Sequence, residues 1–476
     1  MSLGGSFVRG SVYLGGSQLV VNAANFAMQI PIARFLGPAE YGLYALCFAI
    51  DQVLNVVGAF SISFALIQSD EEVGQREYDT ALVLCALQGA AGLALAALAA
   101  PVLGAQRSAD AGWMLVALAF ARVFRLLAQV PQAELERSLR YGAVSGINTV
   151  VGTAPNVVAV VLAWRGLGAW SLVGRDVLVT LLLAAASFSV SSYRFRGAWS
   201  TEARARLMDF ARPMFWSRAI EIALEQLDRA AVALAFGNQP AGYYHAGRFV
   251  AEAGFVATRP VERLSLNLYA RVQRDPARLA RAWSLTNYFL LRTMLAGAAA
   301  LLVFPDVIAR LLYGDGWDDV GDVLRWLALY AGLFPVFHNA KNLLYGTGAV
   351  REMVRVRYVQ LAVFVASVGA AAWVGSVAAM AAALLATTCA SLALAWQRAS
   401  RRVAPPPRAD LVTPFAVLAV VAPGLRTASA AGALDALPPL ALPLLPPVAF
   451  AALVLAIEGR RPLRELAYLR AQARAR

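Results

Sequence analysis

About fourteen stretches of mostly apolar residues, each near 20 residues long, follow one another along the chain, and their short connectors alternate between arginine-rich and arginine-poor. A helix of about 20 apolar residues matches the hydrocarbon thickness of a bilayer. In hydrocarbon each backbone polar group must be satisfied within the segment, which leaves the helix as the solution for runs of this length. The expected spans are 11–34, 41–67, 80–104, 111–131, 142–164, 168–190, 208–236, 241–270, 282–304, 321–346, 355–375, 377–397, 410–425 and 437–457. Only 15% of the residues are charged, against about a quarter in a soluble domain. The pattern describes an all-α polytopic membrane protein with about 14 transmembrane helices.

The net charge of +13 is almost all arginine, with Lys341 the single lysine. Arg9, Arg76, Arg137, Arg140, Arg194, Arg196, Arg204, Arg206 and the tail arginines fall in one set of connectors; the alternate set holds few and includes the acidic GDGWDD. By the positive-inside rule both termini are expected in the cytoplasm, so the excess charge needs no nucleic-acid partner. The first apolar run lacks a small-residue cleavage site and reads as a retained span. Cys47, Cys85 and Cys389 form no CxxC pair, and a count of two histidines argues against a zinc or haem centre, so no metal or cofactor is expected. There is no phosphate loop and no Ser-His-Asp arrangement, and no connector is long enough for a catalytic domain, so a non-enzymatic role is expected.

The expected organisation is a six-helix half over 1–192, a cytoplasmic linker over 193–207 that reads as a hinge, and a second half over 208–400. A basic, proline-rich linker (401–409), a helix pair (410–457) and a basic tail (458–476) follow. A faint repeat supports the halves: "FLGPAEYGLYALCFAI" and "AFGNQPAGYYHAGRFV" share Gly37/Gly237, Gly42/Gly242 and Tyr44/Tyr244 at one offset, as internal repeats of transporters do.

The opening pattern "ARFLGPAEYGLYALCFAI…FSISFALIQSDE", with "PQAELERSLRYGAVSGINTVVG" and "AGYYHAGRFVAEAG", resembles the polysaccharide transporter branch of the MOP superfamily, the lipid-linked oligosaccharide flippases. The likeness runs over about residues 10 to 400 and is most specific at LGPAEYG. It implies two pseudo-symmetric six-helix lobes around a central cavity, moving a polyprenyl-diphosphate-linked oligosaccharide from the cytoplasmic to the outer leaflet by alternating access. It also implies a bacterial inner membrane, lipids and a lipid-linked glycan as partners, and a neighbouring polymerase and chain-length machinery. The alternative reading is an ion-coupled drug or metabolite exporter of the same superfamily; a membrane polymerase or ligase ranks lower for want of a catalytic loop.

Polar residues recur on single faces of the apolar spans. Gln18, Asn22, Asn25 and Gln29 fall at i, i+4, i+7 and i+11; Tyr44, Asp51 and Asn55 form a second line, and Tyr141, Ser145, Asn148 and Asn156 a third. Amides, hydroxyls and aromatic faces suit a glycan path, and equally suit hydrogen bonding between helices. The seventh span carries Arg218, Glu221, Glu225 and Asp228 on one face, with Arg229 beside it; the eighth carries Arg248, Glu252, Arg259 and Glu262, with Arg263 adjacent. A lone ion at the bilayer centre costs at least about 2.5–3.5 kcal/mol, so these charges must be paired or hydrated. A guanidinium fork binds phosphate oxygens bidentately, which makes Arg248, Arg259 and Lys341 the candidate diphosphate ligands. Glu221, Glu225, Asp228 and Glu252 are the candidates for coupling to H+ or Na+, or for bracing the arginines. Arg122 and Arg125 lie near a cytoplasmic end and are expected to face headgroups; Arg175 and Asp176 have no assigned role. Pro31, Pro155, Pro260 and Pro335 mark expected bending points.

Overall fold

The computed structural model describes residues 3–55, 62–68, 73–459, 461, 462, 464, 465 and 467, with side chains at 3–15, 68, 213, 214, 216–218, 221, 257, 259, 260, 262 and 263 left undescribed. Arg218, Glu221, Arg259, Pro260, Glu262 and Arg263 therefore lie outside the described side chains. Every regular element among the described residues is helical. Among the described residues, ten helices are long and apolar enough to cross a membrane. The chain divides into two compact units, Met1–Gly242 and Tyr243–Arg476.

In the first unit, α1 (Leu3–Leu54) holds the first two expected spans, which are joined at Gly37 with φ 71°. A left-handed backbone is strained for residues with a Cβ, so glycine belongs at this bend. Of the second expected span, residues 56–61 lie outside the described residues; α1 ends at Leu54 before them and α2 (Ile62–Gln68) follows them. Next come α3 (Gln75–Gln106), α4 (Ala109–Arg137), α5 (Tyr141–Trp164), α6 (Trp170–Val190) and α7 (Thr201–Phe236). The Ser108 hydroxyl accepts the Ala111 amide to cap α4, and Ser200 caps α7 in the same way. α3 packs on α4, α4 on α6, α5 on α6, and α1 along α5, α4 and α7. α7 fails the apolarity test for a span because of its charges, although its 36 residues exceed the length required.

The repeat noted in the sequence marks a close approach. α7 ends at Gly237 with φ 94°, and α8 (Asn238–Ala253) begins directly after it. A Cβ on Gly42 would sit 1.7 Å from the Asn238 carbonyl oxygen, and one on Gly242 would sit 2.0 Å from the Pro38 carbonyl oxygen. Each glycine thus packs against the residue four positions before its repeat mate. Among residues with side chains, none fits either place. Nearby, the Arg107 guanidinium donates to the carbonyls of Ala233 (2.6 Å) and Leu234 (3.2 Å) at the C-terminal end of α7.

The linker between α6 and α7, expected as a hinge, is held in this structure as an ordered strap. The Asp79 carboxylate accepts from the Tyr193 hydroxyl (2.8 Å), the Arg196 and Ala198 amides (3.1 and 2.8 Å) and Gln75 Nε2 (2.8 Å). Glu134 accepts from the Ser191 hydroxyl (2.7 Å) and the Ser192 amide (3.2 Å). Burial, and after it the bond to Asp79, push the Tyr193 phenol up, so it stays a donor. Polar side chains of neighbouring helices are thus spent on holding the backbone of the strap. Asp79→Ala leaves four donors without their acceptor. The expected result is at least about tenfold faster trypsin cleavage at Arg194 and Arg196, since cleavage follows the open population; an unchanged rate contradicts the clamp.

In the second unit the eighth expected span is broken: α8 stops at Ala253 and α9 (Phe255–Val272) resumes after Gly254. There follow α10 (Pro276–Val303), α11 (Pro305–Tyr313), α12 (Val320–Gly346), α13 (Val350–Val374), α14 (Val377–Ser400), α15 (Arg408–Ala430) and α16 (Leu445–Glu458). The short α11 was not foreseen, and α16 has 14 residues where the sequence suggested a span over 437–457. Helices α1, α5 and α12 continue through Pro31, Pro155 and Pro335. α12 is the hub, packing on α9, α10, α11, α13 and α14. The last pair docks on α10 through a buried ionic cluster. Arg292 pairs with Glu458, Tyr288 donates to Glu458 at 2.5 Å, and Arg461 holds both Asp410 oxygens at 2.7 and 2.9 Å.

Candidate functional site

The polar residues fall into two groups, one in each unit. In the first, the stripe on α1 is largely satisfied by neighbouring helices. Asn156 of α5 donates to Asn25 Oδ1 at 2.7 Å, and Gln29 donates to the Tyr41 hydroxyl at 2.8 Å. Arg175 of α6 donates to Gln29 Oε1 (3.0 Å), the Tyr44 hydroxyl (3.0 Å) and Asp176 Oδ1 (2.9 Å), while Tyr44 donates to Asp176 Oδ2 (2.8 Å). Adjacent Arg175 and Asp176 were not expected to act together, yet one guanidinium and one carboxylate share this cluster. Asp51 pairs with Arg122, and both are buried. That corrects the expectation that Arg122 faces headgroups; Arg125 is exposed. The Gln18 amide donates to Asn22 Oδ1 at 3.0 Å near an exposed surface. Asn148 is also exposed, and Asn22, Asn25 and Asn55 are half-buried.

In the second unit, Arg248 is 4% exposed on α8. Its Nε lies 2.5 Å from Glu252 Oε1, one turn along the same helix, and its guanidinium lies 5.7 Å from the Tyr330 ring centre. Tyr330 begins an aromatic ladder on α12. Tyr330 and Phe334 are 5.1 Å apart, and Phe334 and His338 are 4.3 Å apart. His338 Nδ1 then lies 3.4 Å from Lys341 Nζ. Phe255, the first residue after the Gly254 break, stacks on Phe334 at 5.1 Å and meets Tyr330 edge-on at 6.0 Å. The ladder occupies i, i+4, i+8 and i+11 of α12, a single face, with Asn342 bonded to Ser265 of α9 at 3.1 Å beside it.

Arg248 faces Tyr330 at one end of the ladder and the Lys341 ammonium lies at His338 near the other end; the 11 residues from Tyr330 to Lys341 rise about 16 Å along the helix axis. Glu252 is half-buried against Arg248. On α7, Asp228 is 2% exposed, Glu225 is exposed, and Arg229 donates to Gln226 at 3.2 Å. The ladder was missed in the sequence, although the i, i+4, i+8 spacing of Tyr330, Phe334 and His338 was there to read.

A family model described as polysaccharide biosynthesis protein matches residues 32–322, more than half of the chain. The chain belongs to that family. Within reach of the family match lie both repeats, the α6 cluster and Arg248; Lys341 lies past its end. The succinoglycan biosynthesis transport protein ExoT of Rhizobium meliloti (strain 1021) is 24% identical over 324 residues, covering 67% of this chain. The match spans 65% of that relative, just under two thirds of its length. Among solved structures, the lipid II flippase MurJ in an inward closed conformation superposes with a TM-score of 0.69 at 10% identity, over 94% of this chain and 99% of that one. An inward-facing multidrug resistance MATE transporter of the MOP superfamily gives 0.60 at 13% identity, over 83% and 98%. The family member is thus an all-helical, multi-pass membrane protein with the fold of MOP superfamily transporters.

Proposed function

We propose that the chain is a flippase that carries a polyprenyl-diphosphate-linked oligosaccharide from the cytoplasmic to the outer leaflet of the bacterial inner membrane, with both termini in the cytoplasm. The observation that carries this reading is the buried Arg248 at one level of α12 and Lys341 at another, joined by the aromatic ladder. Guanidinium and ammonium suit a diphosphate, and aromatic faces suit sugar rings. The family and the succinoglycan transport role of the Rhizobium relative support the same substrate class. Segments 1–192 and 208–400 serve as the two moving lobes, and a polymerase with chain-length machinery would receive the product.

Lys341 would receive the headgroup near the cytoplasmic end and Arg248 would hold it further across, while the polyprenyl tail stays in lipid. Each cation already has a partner within the protein, Glu252 or His338, and this competition keeps binding weak enough for release. Gln18, Asn22 and Asn148 are the accessible polar groups of the first unit for glycan hydroxyls. The test is complementation of a strain lacking its own lipid-linked glycan flippase. Restored surface polysaccharide supports the reading, and intracellular build-up of the lipid-linked glycan despite full expression opposes it.

Glu225 and Asp228 are proposed to couple transport to H+ or Na+. Glu225→Gln is expected to reduce gradient-stimulated flipping by about tenfold, the scale of one lost charged interaction, while expression and gradient-free exchange persist. Unchanged gradient dependence in that variant removes the coupling role.

A further inference from the structure

We propose that the strap between α6 and α7, together with the turn between α4 and α5, forms an interfacial anchor that binds anionic phospholipid headgroups on the arginine-rich side of the membrane. The strap is pinned without being buried. Asp79 and Glu134 fix its backbone, Gln75 Nε2 donates to the Arg194 carbonyl at 2.7 Å, and Gly197 turns it with φ 75°. Yet Phe195 is 53% exposed and Trp199 45% exposed. An ordered segment that holds two large aromatic side chains outward implies an apolar or interfacial surface to receive them.

The neighbouring turn repeats the arrangement. α4 ends with the Arg140 amide donating to the Leu135 carbonyl (2.9 Å) and the Leu139 amide to Glu136 (3.0 Å). This helix ending normally places glycine at the left-handed position. Here Leu139 occupies it with φ 56° and is 48% exposed. A strained leucine presented outward indicates that its side chain has a use there. Arg140 Nη1 donates to the Val190 carbonyl at 3.0 Å, so this turn and the start of the strap are tied together.

Charge completes the surface. Arg76 in the first turn of α3, Arg196 on the strap and Arg204 in the first turn of α7 are exposed. Arg206 beside them is committed to Glu77 at 2.6 Å, and Arg194 to the carbonyls of Phe188, Ser191 and Tyr193. The strap runs from Val190, where the apolar span α6 ends, to Thr201, where α7 begins. Aromatic and basic side chains at that level match a headgroup layer, in which amphipathic rings sit at the boundary and arginines meet phosphate. A soluble acidic protein would answer the charge but leave Phe195, Trp199 and Leu139 wet.

The test uses the full chain in nanodiscs, with the native cysteines replaced by alanine and spin labels at Phe195→Cys or Trp199→Cys. In bilayers containing phosphatidylglycerol both labels are expected to collide more with oxygen than with an aqueous nickel chelate, and to shift toward the aqueous agent in pure phosphatidylcholine. In parallel, native mass spectrometry of the protein with its cysteines intact compares retained phosphatidylglycerol and phosphatidylcholine. Arg196→Gln/Arg204→Gln is expected to lower the selectivity by up to about thirtyfold at low salt, about fivefold per arginine, and less as salt rises. Labels that favour the aqueous agent equally in both bilayers overturn the proposal, as does unchanged selectivity in the double variant.

Discussion

Gly42→Ala is expected to cost more stability than alanine at any other described glycine, with Gly242→Ala close behind. The added Cβ would meet the Asn238 carbonyl oxygen at 1.7 Å in the first case and the Pro38 carbonyl oxygen at 2.0 Å in the second. Ordinary contact begins at 3.4 Å, and the obstacle is backbone, which cannot rotate away as a side chain can. Overpacking against side chains costs about 1–3 kcal/mol, and a fixed carbonyl places these variants at or above the upper end. The internal control is Gly369→Ala on α13, where an added Cβ meets nothing within 4 Å and helix propensity favours alanine by about 1 kcal/mol. Thermal unfolding in detergent is expected to show large losses for Gly42 and Gly242 variants and none for Gly369. Three equal midpoints contradict the close approach.

The repeat illustrates what a sequence can and cannot disclose. Gly37, Gly42 and Tyr44 were matched with Gly237, Gly242 and Tyr244 by offset alone, and the positive φ at Gly37 and Gly237 explains why glycine stands at both bends. That each glycine of the pair packs near the other's repeat was not readable, because spacing reports positions along a helix and not which helix lies opposite. The spans were legible for a similar reason: hydrophobic length is a local property. The break at Gly254 was not, since the flanking residues stay apolar on both sides.

Polar residues were harder to read because pairing is a tertiary property. Arg175 and Asp176 point apart in a simple helical-wheel argument, yet long side chains let the guanidinium reach Asp176, Tyr44 and Gln29 together. Arg122 near a span end suggested headgroups, and Asp51 on α1 draws it inside instead. The linker reads as a hinge from its length and its place after the sixth span, and the acceptors that hold it here, Asp79 and Glu134, lie more than 50 residues away in sequence.

Arg248 carries the second large effect. It is buried, faces the Tyr330 ring and has Glu252 one turn away. Removing a guanidinium that grips phosphate through charge-assisted hydrogen bonds costs about 1.5–3 kcal/mol for each bond lost, which is about tenfold or more in headgroup affinity. Arg248→Lys keeps the charge and loses the planar fork, so it is expected to retain part of the activity. Lys341→Ala is expected to slow uptake from the cytoplasmic side more than release, because it meets the headgroup first.

The most direct measurement is flipping of a defined polyprenyl-diphosphate-linked glycan in proteoliposomes by the wild-type chain, Arg248→Ala, Lys341→Ala and the double variant. The account expects saturable wild-type flipping, at least about a tenfold loss in Arg248→Ala, a smaller loss in Lys341→Ala and none remaining in the double variant, all with intact folding. Wild-type rates in the double variant would contradict it.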